Sequence, residues 1–184
     1  MIAITLTVIA ATYLALAVGV IGARRAAYSQ TRHTISELGE YGSPDQSVVA
    51  FGVFLPIGLV LLAAAFVLQP RSIPAASLAL CIAIGYIVAA VFPCDPGSPT
   101  SGSARQALHN LGGAIEYFGG AYALFRLSET FGQPFRVGSI VVAGAAILIS
   151  FPTLVPMRGL IQRIAEACLF GALAWCARLL AMSA

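Results

Sequence analysis

The sequence predicts an all-α, polytopic membrane protein, a bundle of six transmembrane helices. Three observations lead to this fold class. Of the 184 residues, 59% are hydrophobic and only 9% are charged, and the mean hydropathy is +0.92. Soluble domains carry roughly 25% charged residues. The apolar residues also fall into six runs, each close to the roughly 20 residues that a helix needs to cross a bilayer. We therefore expect one integral membrane domain over residues 1–184.

The first three predicted helices cover residues 2–22, 48–68 and 75–92. The first has no basic segment before it and no small-residue cleavage site after it, so we expect a mature helix and not a signal peptide. The second contains Pro56, which membrane helices tolerate where a neighbour satisfies the freed carbonyl group. The third ends before Pro93, which cannot continue the hydrogen bonding of a helix.

The last three predicted helices cover residues 104–127, 137–155 and 159–182. Ser103 precedes the fourth helix and is a good N-cap. This helix is rich in glycine, which lets neighbouring helices approach closely, so we expect it at the centre of the bundle. The longest connection follows the first helix, and we expect a short helical turn within it that ends at Gly39.

The ionisable residues are distributed unevenly over the two sides of the predicted bundle. Helices alternate in direction, so the connections after the first, third and fifth helices lie on one side. Six of the seven acidic residues and both histidines lie in or near these connections, and only Glu129 lies on the other side. Polar groups at membrane depth usually face a bundle interior or a water-filled pocket. We expect this side to be the functional face; its acids and histidines are Glu37, Glu40, Asp45, Asp95, Glu116, Glu166, His33 and His109.

The arginines predict the orientation. Six of the ten lie on the same side as the histidines, including Arg24 and Arg25 directly after the first helix. The positive-inside rule then favours a cytoplasmic location for this side. All basic residues are arginine, which is typical of a GC-rich bacterial genome, so we expect the bacterial inner membrane. The net charge of +3 is too small and too scattered for a nucleic-acid surface.

Residues 92–109 form the most polar break in the chain and are expected to organise the site. Helical spacing places His109 and Glu116 on one stripe of the fourth helix, two turns apart. Glu116 and Glu166 lie deep enough to require a proton or a partner, and Arg163 is the candidate partner. The expected polar lining is Ser36, Glu37, Asp95 and His109 as catalytic residues, with Cys94, Glu116, Arg163 and Glu166 as binding residues.

Three interpretations of this cluster remain open from the residues alone. Zinc accepts histidine and carboxylate ligands and keeps a position open for water in catalytic sites. A metal-free site would use Cys94 or Ser36 as nucleophile and His109 as base, with Asp95 orienting the base. In the third interpretation the polar side chains only brace loops, and Asp95 caps a turn. The zinc ligands would be His33, Glu37, Asp95 and His109.

Three functions fit these interpretations. The first is a site at one membrane interface that binds or hydrolyses a lipid-like molecule. The second is a non-catalytic accessory subunit of a membrane protein complex, whose polar cluster locks helices together. The third is a proton-coupled transporter of a small solute, with Glu116 and Glu166 as the intramembrane carriers.

Three segments carry a resemblance to a known family. They are Arg32-His-Thr-Ile-Ser-Glu-Leu-Gly39, Phe92-Pro-Cys-Asp95 with a histidine opening the fourth helix, and Gly159-Leu-Ile-Gln-Arg163. In these segments the chain resembles the six-helix prokaryotic membrane proteins grouped as domain of unknown function 998. The resemblance covers nearly the whole chain. It implies the six-helix fold and no particular reaction.

The chain also resembles, more distantly, the ceramidase and progestin-receptor-like group of membrane hydrolases. That group places a serine, an aspartate and several histidines around zinc at one interface. The resemblance implies that Ser36, Asp95, His33 and His109 fill similar roles. The paired histidines that the group carries in its last helix are absent here, so its zinc site does not carry over intact.

Overall fold

The computed structural model describes residues 1–151 and 156–183, and its regular elements within these ranges are all helical. Six helices follow one another along the chain, and every predicted helix is present. The predicted fifth helix starts four residues too late, and residues 152–155 of its predicted end lie outside the described part. The helices are α1 (Ile2–Arg24), α2 (Val48–Leu68), α3 (Ile73–Val91), α4 (residues 104–131), α5 (Gln133–Ile149) and α6 (Arg158–Met182).

Four of these helices, α1, α2, α3 and α6, are long and apolar enough to cross a membrane. Helix α5 is apolar but shorter, with 17 residues. Large apolar side chains such as Leu16, Phe66 and Ile140 are exposed on the outside of the bundle, where lipid is the solvent. The predicted fold class, an all-α membrane bundle, is confirmed.

The helices form a ring in chain order. Each helix packs against the next, α6 returns to pack against α1, and α3 also contacts α6 across the ring. Helix α3 is enclosed on several sides, and half of its most apolar window is buried. The outer face of α4 is exposed at Leu111, Phe118 and Tyr122. The prediction that α4 occupies the centre is therefore wrong, because its glycines serve one contact face only.

Those glycines do bring helices together, as their residue type predicts. A Cβ atom at Gly112 would lie 2.6 Å from the side chain of Val88 on α3. A Cβ atom at Gly120 would lie 2.8 Å from Leu169 on α6. Close approach of this kind replaces the hydrophobic driving force that helices lack inside a bilayer.

Helix α2 accommodates Pro56 with help from α1. Its first part, Val48–Phe54, is a π-helix, and Leu55–Leu68 is α-helical. Pro56 has no N–H to donate to the carbonyl group of Gly52, four residues earlier. The hydroxyl group of Tyr13 on α1 donates to that oxygen at 2.6 Å. The expectation that a neighbour satisfies the freed carbonyl is confirmed.

Helix α4 contains a second π-helical segment. Ala104–Ala114 and Gly120–Phe131 are α-helical, and Ile115–Gly119 between them is π-helical. The side chain of Ser103 accepts a hydrogen bond from the backbone N–H of Gln106 at 3.2 Å, which confirms the predicted N-cap. π-Helical turns inside α-helices often occur at functional sites.

The first and third connections meet each other and the start of α6 on one side of the bundle. The backbone N–H of Leu160 donates to the carbonyl oxygen of Thr31 at 2.9 Å, and Tyr41 N–H donates to Cys94 O at 2.8 Å. A 3₁₀-helix, Ser36–Gly39, ends at Gly39 as predicted. The glycine is required for close packing and not for its ability to end a helix, because a Cβ atom at Gly39 would lie 2.7 Å from Val49.

Candidate functional site

A cavity of about 370 Å³ lies beneath these connections, bordered by α3, α4, α5 and the start of α6. Its volume falls within the range of roughly 300–1,000 Å³ that is usual for small-molecule sites. Polar groups border it at the loop end and, at Glu116, Tyr117 and Gln162, farther in; apolar residues of α3, α4 and α5 border the rest. The polar residues that line it include Ser36, His109, Glu116, Tyr117, Arg158 and Gln162.

Ser36 and His109 form a hydrogen-bonded pair on this cavity. Ser36 Oγ lies 3.2 Å from His109 Nε2, and His109 Nδ1 lies 2.9 Å from the carbonyl oxygen of Phe92. A carbonyl oxygen only accepts hydrogen bonds, so Nδ1 of the neutral ring carries the hydrogen. Nε2 is then the acceptor for the hydroxyl group of Ser36. The arrangement is that of a nucleophile beside a base whose tautomer is set by the main chain.

Both side chains are positioned by contacts between distant parts of the chain. Ser36 opens the 3₁₀-helix, and the preceding residue, Ile35, donates its N–H to Gln162 Oε1 on α6 at 2.6 Å. The thiol of Cys94 donates to the carbonyl oxygen of Ser36 at 3.4 Å. His109 lies on α4 beside the residue that follows α3, Phe92. The pair therefore depends on both connections and on α6.

Asp95 does not contact His109. Its carboxylate accepts hydrogen bonds from the N–H and the hydroxyl group of Ser103, both at 2.8 Å, and pairs with Arg105. These hydrogen bonds from Ser103, together with Arg105, hold the pKa of Asp95 below its usual value. The role predicted for Asp95 as the residue that orients the base is wrong, because its carboxylate fastens the third connection to α4.

Cys94 is not suited to act as a nucleophile. Its side chain is fully buried. Burial, with a further contribution from the negative charge of Glu40, raises the pKa of its thiol to about 12. The reactive form of cysteine is the thiolate, which this environment suppresses. Of the two candidate nucleophiles, only Ser36 is bonded to His109.

His33 and Glu37 face away from the cavity. They border a separate cleft of about 200 Å³ with Arg25 and Glu40. Glu37 Oε1 accepts from the N–H of Thr34 at 2.8 Å. The ring of His33 accepts from Ser29 N–H at 2.9 Å through Nδ1. Both side chains brace the first connection, as the third interpretation expected.

The predicted zinc site is not assembled. Within residues 1–151 and 156–183, no three His, Cys, Asp or Glu side chains lie close enough to hold a metal ion. Ser36 and Glu37 are consecutive in the 3₁₀-helix but lie against different spaces: Ser36 borders the cavity, and Glu37 borders the cleft. The predicted ligand set His33, Glu37, Asp95 and His109 is therefore wrong. His33 and Glu37 border the cleft, Asp95 bonds to Ser103 and Arg105, and His109 borders the cavity. No zinc chemistry follows from these four residues.

Arg163 does not pair with either buried glutamate, contrary to prediction. Its guanidinium group donates to the carbonyl oxygens of His33 and Gly159 at 3.0 and 2.9 Å and to the hydroxyl group of Tyr28 at 2.7 Å. It fastens the first connection to α6. Arg163 lies near the start of α6, beside the first connection, and three residues before Glu166 in the sequence.

Glu166 is instead bonded by two tyrosines. Tyr117 donates to its Oε1 at 2.6 Å, and Tyr86 donates to its Oε2 at 3.0 Å. Gln162 Nε2 donates in turn to the hydroxyl group of Tyr117 at 3.1 Å. The sequence reasoning missed these roles. The spacing of four residues between Gln162 and Glu166, which places them on one helical face, could have indicated the first.

Arg158 and Phe92 are two further residues whose roles were missed. The guanidinium group of Arg158 borders the cavity and donates to the carbonyl oxygens of Gly97 and Ser98 at 3.3 and 2.7 Å. Phe92 contributes only its backbone oxygen, so no sequence pattern could have indicated it. Glu116, by contrast, was predicted as a binding residue, and it borders the cavity with 7% exposure.

The family match covers the residues that build this cavity. A protein family described as "Protein of unknown function (DUF998)" matches residues 8–179. No curated protein and no solved structure matches the chain. The matched range includes the first connection, the third connection and the start of α6, which together position Ser36 and His109. Because the match extends over nearly all of the six-helix bundle, the chain belongs to the DUF998 family of proteins of unknown function.

Proposed function

We propose that this protein hydrolyses a lipid-like, amphipathic ester at the membrane interface, with Ser36 as nucleophile and His109 as general base. The observation that carries the proposal is the 3.2 Å contact between Ser36 Oγ and His109 Nε2 on a cavity of ligand size. From the arginine distribution, we place this face on the cytoplasmic side of a bacterial inner membrane.

The reaction takes two steps. Ser36 Oγ attacks the ester carbonyl carbon while His109 Nε2 accepts the hydroxyl proton, and His109 then returns this proton to the departing alkoxide. A water molecule repeats the sequence on the acyl-serine: His109 takes its proton, the acid leaves, and Ser36 regains its hydrogen. The carbonyl oxygen of Phe92 stabilises the imidazolium through the hydrogen on Nδ1.

Arg158 supplies positive charge at the site. Its guanidinium group borders the cavity, and among the described residues it forms no ion pair with a carboxylate. An uncompensated cation in a site of low polarity stabilises negative charge that develops during acyl transfer. We therefore assign to Arg158 the stabilisation of the oxyanion or of an acidic group beside the ester.

The walls of the cavity favour an amphipathic substrate. Ala114 and Phe118 border it and are also exposed on the outer surface of α4, where lipid contacts the bundle. A molecule in the membrane can therefore approach from this side with its chain along apolar residues. Its ester then reaches Ser36 at the polar end.

Two competing functions have less support. An accessory subunit would need polar side chains that only lock helices together, as Asp95 and Arg163 do, but Ser36 and His109 face a cavity. A proton-coupled transporter would need both Glu116 and Glu166 free to exchange protons; Glu116 has an unpartnered oxygen, but both oxygens of Glu166 accept hydrogen bonds from tyrosines. The hydrolase proposal is the one that uses the paired groups on the cavity.

The test is hydrolysis of 4-methylumbelliferyl octanoate by the purified protein in detergent. Ser36→Ala and His109→Gln should each lower turnover by roughly 100-fold or more. The control is Ser150→Ala, because Ser150 also borders the cavity but its hydroxyl group donates to Ala146 O at 2.9 Å on its own helix. Thermal unfolding shows whether each variant folds. Absence of turnover in the wild type, or equal turnover after Ser36→Ala in a folded protein, would reject the proposal.

A further inference from the structure

Glu116 has a polar atom that the protein leaves without a partner. Its Oε1 is buried, and among the described residues no group donates to it or accepts from it. The whole residue is 7% exposed and borders the cavity. Buried polar side-chain atoms almost always have a hydrogen-bond partner, so Glu116 Oε1 is an acceptor that a polar group in the cavity can use.

Glu116 differs in this respect from the neighbouring buried carboxyl group of Glu166. Both oxygens of Glu166 accept hydrogen bonds from tyrosine hydroxyl groups, at 2.6 and 3.0 Å. The carboxyl group of Glu166 therefore has its hydrogen-bond partners within the protein. Glu116 lies beside Glu166, and both border one small space, but no described group donates to Glu116 Oε1.

The backbone makes room for the carboxyl group of Glu116. A Cβ atom at Gly85 on α3 would lie 2.2 Å from Glu116 Oε2, so any larger residue there would displace the carboxyl group. Glu116 also lies in the π-helical segment Ile115–Gly119. The glycine and the π-helical turn together hold this side chain at the inner end of the cavity.

The same carboxyl group lies near Ser36. A smaller space of about 20 Å³ is bordered by Ser36, Glu116 and Gln162, and also by Tyr86 and Glu166. A space of this size holds about one water molecule or one small polar group. A group bonded to Glu116 is therefore within a few bonds of an ester at Ser36.

We infer that Glu116 binds a hydroxyl or amine group that the alcohol part of the ligand retains beside its ester. The ligand class is then a monoester of a polyol or an amino alcohol, with an apolar acyl chain. The inference rests on the proposed ligand-binding role of the cavity, but it does not require that the ligand is hydrolysed.

The test measures binding in the absence of turnover. Purified Ser36→Ala protein in detergent is titrated by calorimetry with three octanoate esters: 1-monooctanoylglycerol, 2-aminoethyl octanoate and methyl octanoate. The first two carry a donor and the third does not. We expect at least one donor-bearing ester to bind about tenfold more tightly than the methyl ester. The one that does so identifies the hydroxyl or the amine as the recognised group.

Substitution of Glu116 then shows whether this residue is responsible. In the same background, Glu116→Met should abolish the preference, and Glu129→Met, an exposed position at the other end of α4, should retain it. If Glu116→Met does not fold, Glu116→Gln serves in its place. The amide oxygen still accepts from a hydroxyl group, so only a preference for the aminoethyl ester should fall, while one for the glycerol ester should persist.

Two results would overturn the inference. One is equal affinity for all three esters, which is the result expected if a water molecule satisfies Glu116. The other is an unchanged preference after Glu116→Met, or an unchanged preference for the aminoethyl ester after Glu116→Gln. Ester binding with Glu116-dependent selectivity but without hydrolysis by the wild type would reject the hydrolase and keep this inference.

Discussion

The Nδ1 atom of His109 lies 2.9 Å from the carbonyl oxygen of Phe92, so the main chain orients this ring. In hydrolases with a catalytic triad, a carboxylate occupies this position. A carbonyl group fixes the same tautomer without adding a charge beside the histidine. The following predictions test this relationship and the contacts around it.

Asp95→Asn should leave ester turnover close to that of the wild type. An aspartate that orients the catalytic histidine contributes about 10⁴-fold to kcat, but Asp95 contacts Ser103 and Arg105 instead. The measurement is turnover of the octanoyl ester beside His109→Gln as the positive control. A loss as large as that of His109→Gln would show that Asp95 acts on the base.

The stability that Asp95 contributes should disappear in acid. Hydrogen bonds from Ser103 lower the pKa of Asp95 in the folded protein below the value of 3.8 that an unperturbed aspartate has. A lowered folded-state pKa stabilises the protein above the unfolded-state pKa, and this stabilisation is lost as the pH falls through the folded-state value. The difference in unfolding temperature between wild type and Asp95→Asn should be present at pH 7 and shrink below about pH 4. A difference that is constant down to pH 3 would contradict the assignment.

Cys94 should resist alkylation in the folded protein. Its thiol is buried, and its pKa of about 12 leaves roughly one molecule in 10⁴ as thiolate at pH 8. The measurement is iodoacetamide labelling of the peptide that contains Cys94, by mass spectrometry, before and after unfolding in dodecyl sulfate. Rapid labelling of the folded protein would restore Cys94 as a candidate nucleophile.

Gly85→Ala should destabilise the protein by about 1–3 kcal/mol, because the new methyl group would overlap the carboxyl group of Glu116. Gly144→Ala is the matched control, since no atom of the described residues lies within 4 Å of the added Cβ. In a helix this control should be neutral or stabilising by about 0.5–1 kcal/mol. Unfolding in detergent, followed by circular dichroism, measures both. Equal effects of the two substitutions would show that α3 is not shaped around Glu116.

Tyr13→Phe should lower the stability by about 0.6 kcal/mol, a typical value for a hydrogen bond between membrane helices. Its hydroxyl group donates to the Gly52 oxygen that Pro56 leaves without its usual helical donor. In a Pro56→Ala background the helix supplies that donor, and the effect of Tyr13→Phe should shrink. A double-mutant cycle in detergent measures this coupling, and purely additive effects would exclude it.

Much of the fold could be predicted because lipid requires each membrane-spanning helix to be a long run of apolar residues. The run from Val48 to Leu68 is bounded by polar residues on both sides, and helix α2 has these same ends. Helix parity placed the first connection, the third connection and the start of α6 on one side, and backbone hydrogen bonds of the first connection with Cys94 and Leu160 join them there. These predictions needed only the lengths of apolar runs and the alternation of helices.

The details of the site could not be predicted in the same way. Asp95 and His109 flank one loop, and only the path of that loop decides that Ser103 and Arg105 take up the carboxylate. Ser36 and Glu37 are consecutive, and a 3₁₀-helix sends them to different spaces. Side-chain type therefore indicated which polar residues were candidates for the site, but their pairing depended on the backbone of two connections.

The hydrogen bond from Ile35 N–H to Gln162 spans 127 residues of sequence. The last helix of the chain thus holds the residue beside Ser36 in place. A protein still being inserted, with α6 not yet packed against the first connection, would lack this contact. Under the proposed function, Ser36 and His109 would therefore act only after α6 has packed against the first connection.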